Sequence, residues 1–273
     1  IDYYEMSPVE KHGDIWFKRE DLFKPFEDFA ISGGKVRQCL ALVDKNQDLI
    51  RDEYDSTIAT AASLGSPQNP IVSRVAKHFG FKSLIGIGNT IPSKAIEKYK
   101  TLKYCKEVGS EIILLSKSQG FSSVLYSELD KLAKQRKFFK ILFGYQISSN
   151  RESIVDVISH QVENIPEEID TLVVNCGSAV TFVGILNGII KQNRKFRVVA
   201  MQPFGYDRTK TIEEGVEYMR WEYEYEYHTA NYPYHKLVEC KISDTFELDT
   251  VYESKAYHAM IDQKIVNPKK ENV

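Results

Sequence analysis

Apolar positions along the chain fall into short runs separated by longer amphipathic stretches. Residues 57–61, 83–87, 111–115, 140–143, 171–174 and 197–201 read as strands. Helical periodicity covers 36–43, 70–79 (stopped by Gly80), 93–108 (closed by Gly109), 123–135, 152–164 and 180–192. Strands alternating with helices predict an α/β protein with parallel sheets. Crossovers of this kind bury both sheet faces and put ligands at the carboxyl ends of strands. Residues 222–227, Glu-Tyr-Glu-Tyr-Glu-Tyr, alternate like an exposed strand. Neither an internal repeat nor a low-complexity linker is visible.

Composition narrows the class only modestly. The 273 residues suffice for one large or two modest domains with real cores. Hydrophobic residues at 42% and charged residues at 27% are ordinary globular values. A formal charge of -2 gives no electrostatic case for nucleic acid or anionic membrane as the main partner. Cys39, Cys105, Cys176 and Cys240 lie far apart, as reduced thiols do rather than a disulfide framework or zinc site. The His residues show no metal-ligand spacing, and there is no Gly-x-Gly-x-x-Gly fingerprint. No apolar run approaches ~18 residues, so no transmembrane helix is expected, and the setting reads as cytoplasmic.

Candidate chemistry gathers at four places. Ser32-Gly33-Gly34-Lys35 precedes the helical pattern beginning at Val36. Two glycines permit a sharp turn, and an amine in the positive end of a helix dipole has its charged form disfavoured, which suits a nucleophile. A surface lysine after a turn is the plainer alternative. Gly177-Ser178-Ala179-Val180-Thr181 turns strand 171–174 into a helix, and its N–H groups and hydroxyls could hold an anion. An ordinary capped crossover gives the same pattern. Asp249-Thr250-Val251-Tyr252-Glu253-Ser254-Lys255-Ala256 places two acids at a helix start, where they would complement the dipole. Ala62-Ser63-Leu64-Gly65-Ser66-Pro67-Gln68-Asn69 reads as a Pro/Asn turn with a helix cap.

Taken in order, these segments resemble the pyridoxal-phosphate (PLP) enzymes of fold type II, the tryptophan synthase β-like fold. Within them they resemble the 1-aminocyclopropane-1-carboxylate (ACC) deaminase and D-cysteine desulfhydrase branch. Lys18-Arg19-Glu20-Asp21-Leu22 followed by Ser32-Gly33-Gly34-Lys35-Val36-Arg37 resembles the branch's N-terminal region, whose Gly-Gly-Asn-Lys-x-Arg lacks its Asn here. The resemblance implies that Lys35 carries PLP as a Schiff base and shuttles protons when freed. The family phosphate loop resembles Gly-Ser-Gly-Gly-Thr-x-Ala-Gly; here Gly177, Ser178, Thr181 and Gly184 match, while Ala179 and Val180 replace glycines. It implies that these turn residues hold the PLP phosphate, that Tyr252 flanks the cofactor and that Glu253 faces the pyridine nitrogen. The 62–69 segment falls where the family has Gly-Gly-x-Gln-Ser-Asn. There the resemblance implies Ser66, Gln68 and Asn69 as substrate-binding residues, Ser66 also as catalytic and Asn69 also at the PLP ring hydroxyl.

The resemblance runs from Ile15 to about Asp262, and the family's last strand would begin near 268–273, where the sequence stops. It implies two α/β domains: residues 1–45 with 145–273 as the larger, and 46–144 as the smaller. A homodimer, a small amino-acid substrate and its cleavage to an oxo acid and ammonia are implied too. β-Elimination or β-replacement, an amino acid carried on a larger molecule such as a modified DNA base, and a PLP fold that has lost catalysis remain open alternatives.

Overall fold

The computed structural model describes residues 1–117, 120–142, 144, 152–218 and 223–266. The elements, in chain order, are β1 (Val9–His12), β2 (Ile15–Lys18), α1 (Gly34–Lys45), α2 (Gln47–Glu53), β3 (Thr57–Ala61), α3 (Gln68–Phe79) and β4 (Lys82–Gly88). Then come α4 (Pro92–Lys98), α5 (Lys100–Glu107), β5 (Glu111–Ser116), α6 (Ser122–Ala133), β6 (Phe139–Lys140) and α7 (Glu152–His160). The chain continues with β7 (Thr171–Asn175), α8 (Val180–Lys191), β8 (Arg197–Gln202), α9 (Thr209–Tyr218), β9 (Glu226–Thr229), β10 (Lys241–Ser243), β11 (Phe246–Glu247) and α10 (Glu253–Asp262). Two compact units result: Phe23–Ile154 with Ile1, and Asp2–Leu22 with Val155–Val273.

The first unit holds a four-stranded parallel sheet in the order β5-β4-β3-β6. Every residue of β3 is buried, as expected where crossover helices cover both faces. Ala59, Ala61 and Leu84 pack with Leu125 and Leu129 of α6. Gly80, at φ +72°, ends α3 in the left-handed conformation that glycine adopts without strain. The continuous helix expected at 93–108 is instead α4 and α5, broken at Tyr99, which is extended (φ −112°, ψ 116°). The strand expected at 140–143 is cut to Phe139–Lys140, and Phe143 lies outside the described residues.

The second unit holds the parallel sheet β7-β8-β9 and two antiparallel hairpins, β1-β2 and β10-β11. Strand β8 is buried on both faces. Val198 and Ala200 join Phe182, Leu186 and Ile189 of α8, while Val199 and Met201 meet Ala256, Ala259 and Met260 of α10. The tyrosine–glutamate alternation at 222–227 forms no exposed strand. Its last two residues, Glu226 and Tyr227, enter β9, paired with β8, and Tyr223, Tyr225 and Tyr227 pack on the α8 core; Glu222 lies outside the described residues. Alternation shows that one face is apolar but not what covers it.

Helix α8 packs on α7 through missing side chains. A Cβ on Gly184 would lie 2.6 Å from Ile158 Cβ, and one on Gly188 would lie 2.5 Å from the Ser159 carbonyl oxygen. The Ser159 hydroxyl donates to the Gly184 carbonyl at 3.1 Å. Gly188→Ala pushes a methyl into backbone, so it is expected to lower stability by about 1–3 kcal/mol. Denaturant unfolding with an unchanged m value is the check.

Arg197 forks onto Glu226 across β8 and β9 (Nε to Oε1 2.7 Å, Nη2 to Oε2 2.8 Å), and His228 Nε2 lies 3.1 Å from Oε2. The Arg197 hydrogen bonds, then the one to His228, hold the Glu226 carboxyl at about 2, below the ordinary 4.5. A depressed folded pKa gives stability that is complete above the unfolded value near 4.5 and is lost as pH falls toward 2. Both side chains are over 40% exposed, so screening keeps the contribution under ~1 kcal/mol. Glu226→Gln should therefore flatten the acid limb of a stability–pH curve between those values, with little effect on its neutral plateau.

Candidate active site

In the first unit, Gly33 stands at φ +93°, a conformation only glycine adopts freely, and its N–H donates to the Phe23 carbonyl at 2.9 Å. That turn delivers Lys35 to the first turn of α1, with its side chain exposed. Two residues on, Arg37 is 1% exposed and stacks its guanidinium 3.9 Å from the Phe23 ring centre. Helix α1 thus presents Lys35 outward while Arg37 locks the preceding loop to it.

The 62–69 segment leads from β3 into α3. Ser66 is buried, and its hydroxyl oxygen accepts the Gln68 N–H at 3.3 Å. The Gln68 amide is engaged at both ends. Its Nε2 donates to Thr60 Oγ1 (2.7 Å), the Tyr126 hydroxyl (3.1 Å) and the Leu142 carbonyl (3.1 Å), while Oε1 accepts the Gly144 N–H (3.0 Å). Asn69 is fully buried; Nδ2 donates to the Ser63 carbonyl at 3.1 Å, and Oδ1 has no hydrogen-bond partner. An orphaned buried amide oxygen has a desolvation cost that a bound donor would relieve.

In the second unit, β7 ends at Asn175 and the chain turns through Cys176–Ala179 into α8. Ala179 sits at φ +69°, the left-handed region, and no side chain among the described residues caps the helix. Ser178 is half-buried and Thr181 exposed beside the first turn of α8, a helix start whose dipole and backbone N–H groups favour an anion. This donor set fits a phosphate. The turn is braced from below. Cys176 N–H donates to the Met201 carbonyl (2.9 Å), Gln202 Nε2 to the Cys176 carbonyl (2.8 Å), and Arg208 Nε to the Gly177 carbonyl (3.1 Å). Burial pushes the Cys176 thiol up to about 12, so it is no nucleophile.

The same unit brings the 249–256 segment to that turn. A Cβ on Gly177 would meet the Tyr252 ring at 3.4 Å. Asp249 Oδ1 accepts the N–H groups of Val251 (3.0 Å) and Tyr252 (2.7 Å), and Glu253 Oε2 accepts the Asp249 N–H at 3.2 Å. These bonds close the turn that leads into α10, and neither carboxylate caps the helix itself. Glu253 also lines an open cavity of about 760 Å³, walled further by Trp16, Leu172, Asn175, Tyr257 and Met260. Its side chain is accessible through that opening yet deep among protein atoms, and this crowding raises its carboxyl pKa. Lys18 and Arg19 serve structure: Lys18 Nζ donates to the Ser7 carbonyl, and Arg19 lies 3.7 Å over Phe246 while pairing with Asp21 and Glu10.

Sequence reading missed the aromatic ring set around this turn. Phe204, only 5% exposed, packs against Tyr206, Tyr234 and Tyr252 with ring centres 6.1, 5.1 and 5.1 Å away. Lys255, wholly buried, holds the 233–234 segment in place by donating to the Pro233 and Tyr234 carbonyls at 3.1 Å each. The aromatic residues lie 18 to 48 positions apart in sequence from Tyr252, so no local spacing marks them.

These elements define the fold of the PLP-dependent enzymes of fold type II. A solved ACC deaminase homologue matches 94% of this chain and 84% of its own, with a TM-score of 0.72 at 18% identity. The processed form of threonine deaminase isoform 2 from Solanum lycopersicum matches 78% of this chain and 60% of its own (TM-score 0.58, 17% identity). In sequence, the chain is 27% identical over 193 residues to the O-seryl-dTMP PLP-dependent decarboxylase of Salmonella phage ViI. That alignment covers 66% of this chain and 44% of the relative, so the chain spans less than half the relative's length. No family model matches the chain. Among the described residues, no helix is long and apolar enough to cross a membrane.

The left-handed backbone at Ala179 makes the turn sensitive to the side chain it carries. Ala179→Gly is expected to change stability by less than ~1 kcal/mol, because relieved strain offsets the lost methyl and added chain entropy. Ala179→Val, β-branched at positive φ, should cost about 2 kcal/mol or more. Thermal melts of the pair measure the difference.

Proposed function

We infer that this chain is a PLP-dependent lyase whose substrate is an amino acid carried on a nucleotide. The observation that carries the reading is the 27% likeness to a phage decarboxylase whose named substrate, O-seryl-dTMP, is of that kind. The turn at Gly177, Ser178, Ala179, Val180 and Thr181 binds the cofactor phosphate through main-chain N–H groups and hydroxyls at the start of α8. Tyr252 flanks the ring, Glu253 keeps the pyridine nitrogen protonated, and Asn69 offers Oδ1 to the ring hydroxyl. Ser66 and Gln68 shape the loop that takes the substrate carboxylate. When bound, PLP supplies an electron sink for a bond broken at the substrate α-carbon.

Lys35 Nζ would hold the cofactor covalently and, as a free amine, would move a proton at the substrate α-carbon. For decarboxylation, the bond between Cα and the carboxylate breaks, carbon dioxide leaves, and Lys35 returns a proton to Cα. A homodimer in the cytoplasm belongs to the same proposal.

A second reading is the cleavage of a small free amino acid to an oxo acid and ammonia. The ACC deaminase homologue's fold and the order Asp249, Tyr252, Glu253, Lys255 favour it.

Borohydride reduction of the protein with PLP should fix the cofactor on the peptide containing Lys35, and Lys35→Ala should abolish both label and turnover. Label on a different lysine overturns the assignment. With O-seryl thymidine monophosphate the expected product is carbon dioxide. Ammonia and an oxo acid from free amino acids, with no carbon dioxide from the nucleotide, would establish the second reading instead.

A further inference from the structure

Tyr206 and Tyr234 are 55% and 49% exposed, yet both rest on the buried ring of Phe204. Isolated exposed tyrosines need no explanation, but two on a shared buried aromatic base form a fixed ledge. The ledge is held from several sides. The Tyr227 hydroxyl donates to the Tyr206 carbonyl at 2.8 Å and accepts the Arg208 N–H at 2.9 Å. Lys255 Nζ holds the Tyr234 carbonyl and lies 4.7 Å from the Phe204 ring centre. The ledge also adjoins the proposed phosphate turn. Tyr252, 5.1 Å from Phe204 and 6.3 Å from Tyr234 between ring centres, lies against Gly177, whose carbonyl accepts from Arg208. The Arg208 guanidinium carbon lies 5.7 Å from the Tyr206 ring centre, so a positive charge sits between ledge and turn.

We propose that Tyr206 and Tyr234 form the surface on which the base of a pyrimidine nucleotide stacks, with Arg208 attracting its phosphate. This rests on the reading of the substrate as a nucleotide-linked amino acid and assigns that reading its base-binding residues. Flat, rigid, half-exposed rings suit a base because every base has a π-face, and stacking tolerates substituents at the base edge where an amino acid would hang. A free small amino acid has no part that needs such a ledge.

The test uses the full chain and thymidine 5'-monophosphate, which carries no reactive amino acid, with binding read by calorimetry. Tyr206→Ala and Tyr234→Ala should each weaken binding at least fivefold, the lower end of what one base–aromatic stack contributes. Tyr206→Phe should retain affinity, because the ring and not the hydroxyl makes the contact. Uptake of PLP, read by its absorbance, should match the parent in all three, which separates a lost ledge from a damaged fold. A short single-stranded oligothymidylate forms the second arm. Tighter binding than the mononucleotide assigns the ledge to a residue within DNA, and equal binding assigns it to a free nucleotide; either outcome supports the proposal. A parent that binds thymidine 5'-monophosphate while the alanine variants bind it equally well overturns the ledge alone. A parent that binds neither probe overturns the ledge together with the nucleotide-linked reading of the substrate.

Discussion

The seat of α8 on α7 governs the second unit. With side chains at positions 184 and 188, Ile158 and the Ser159 carbonyl would overlap them, and α8 would stand farther from its neighbour. Helix α8 also forms one face of the core over β8, whose other face is covered by α10. A displaced α8 would therefore move the Gly177–Ala179 turn away from the Gln202 and Arg208 bonds that brace it. Close packing transmits such shifts because interiors have little spare volume. Gly184 matches a position of the PLP phosphate loop, yet what it does here is admit a neighbouring helix.

Much of the architecture was legible because short apolar runs between amphipathic stretches leave a compact signal. β3, β4, β5, β7 and β8 fall within one residue of their expected bounds. What stayed hidden depended on partners remote in sequence. The Tyr99 break between α4 and α5 has no proline or glycine to announce it. The tyrosines before β9 alternate as on an exposed edge, and only the α8 core at Phe182 turns them inward. Lys35 and the Gly177–Thr181 turn could be picked out because glycine placement and helix starts are local properties. Phe204, Arg208 and Tyr234 could not, since their meaning arises from contacts between separate loops.

Net charge illustrates the same limit. A total of -2 averages the whole surface and is silent about the uncapped helix start and the guanidinium beside it. Glu253 similarly has two surroundings that sequence does not show together: it closes the turn before α10 through Asp249 and lines a solvent-open cavity.

Ala179 carries a consequence for how such a loop changes over time. Its backbone takes the left-handed shape that glycine would take at no cost, so the turn keeps that geometry without a glycine. A sequence pattern built on glycine at this point is blind to the loop, whereas one built on dihedral angles is not. β-Branched side chains are the ones strain keeps out, whereas asparagine and aspartate stand at positive φ elsewhere in this chain. Drift at this position is confined to a narrow corridor of residues whose width is set by strain and not by the ligand.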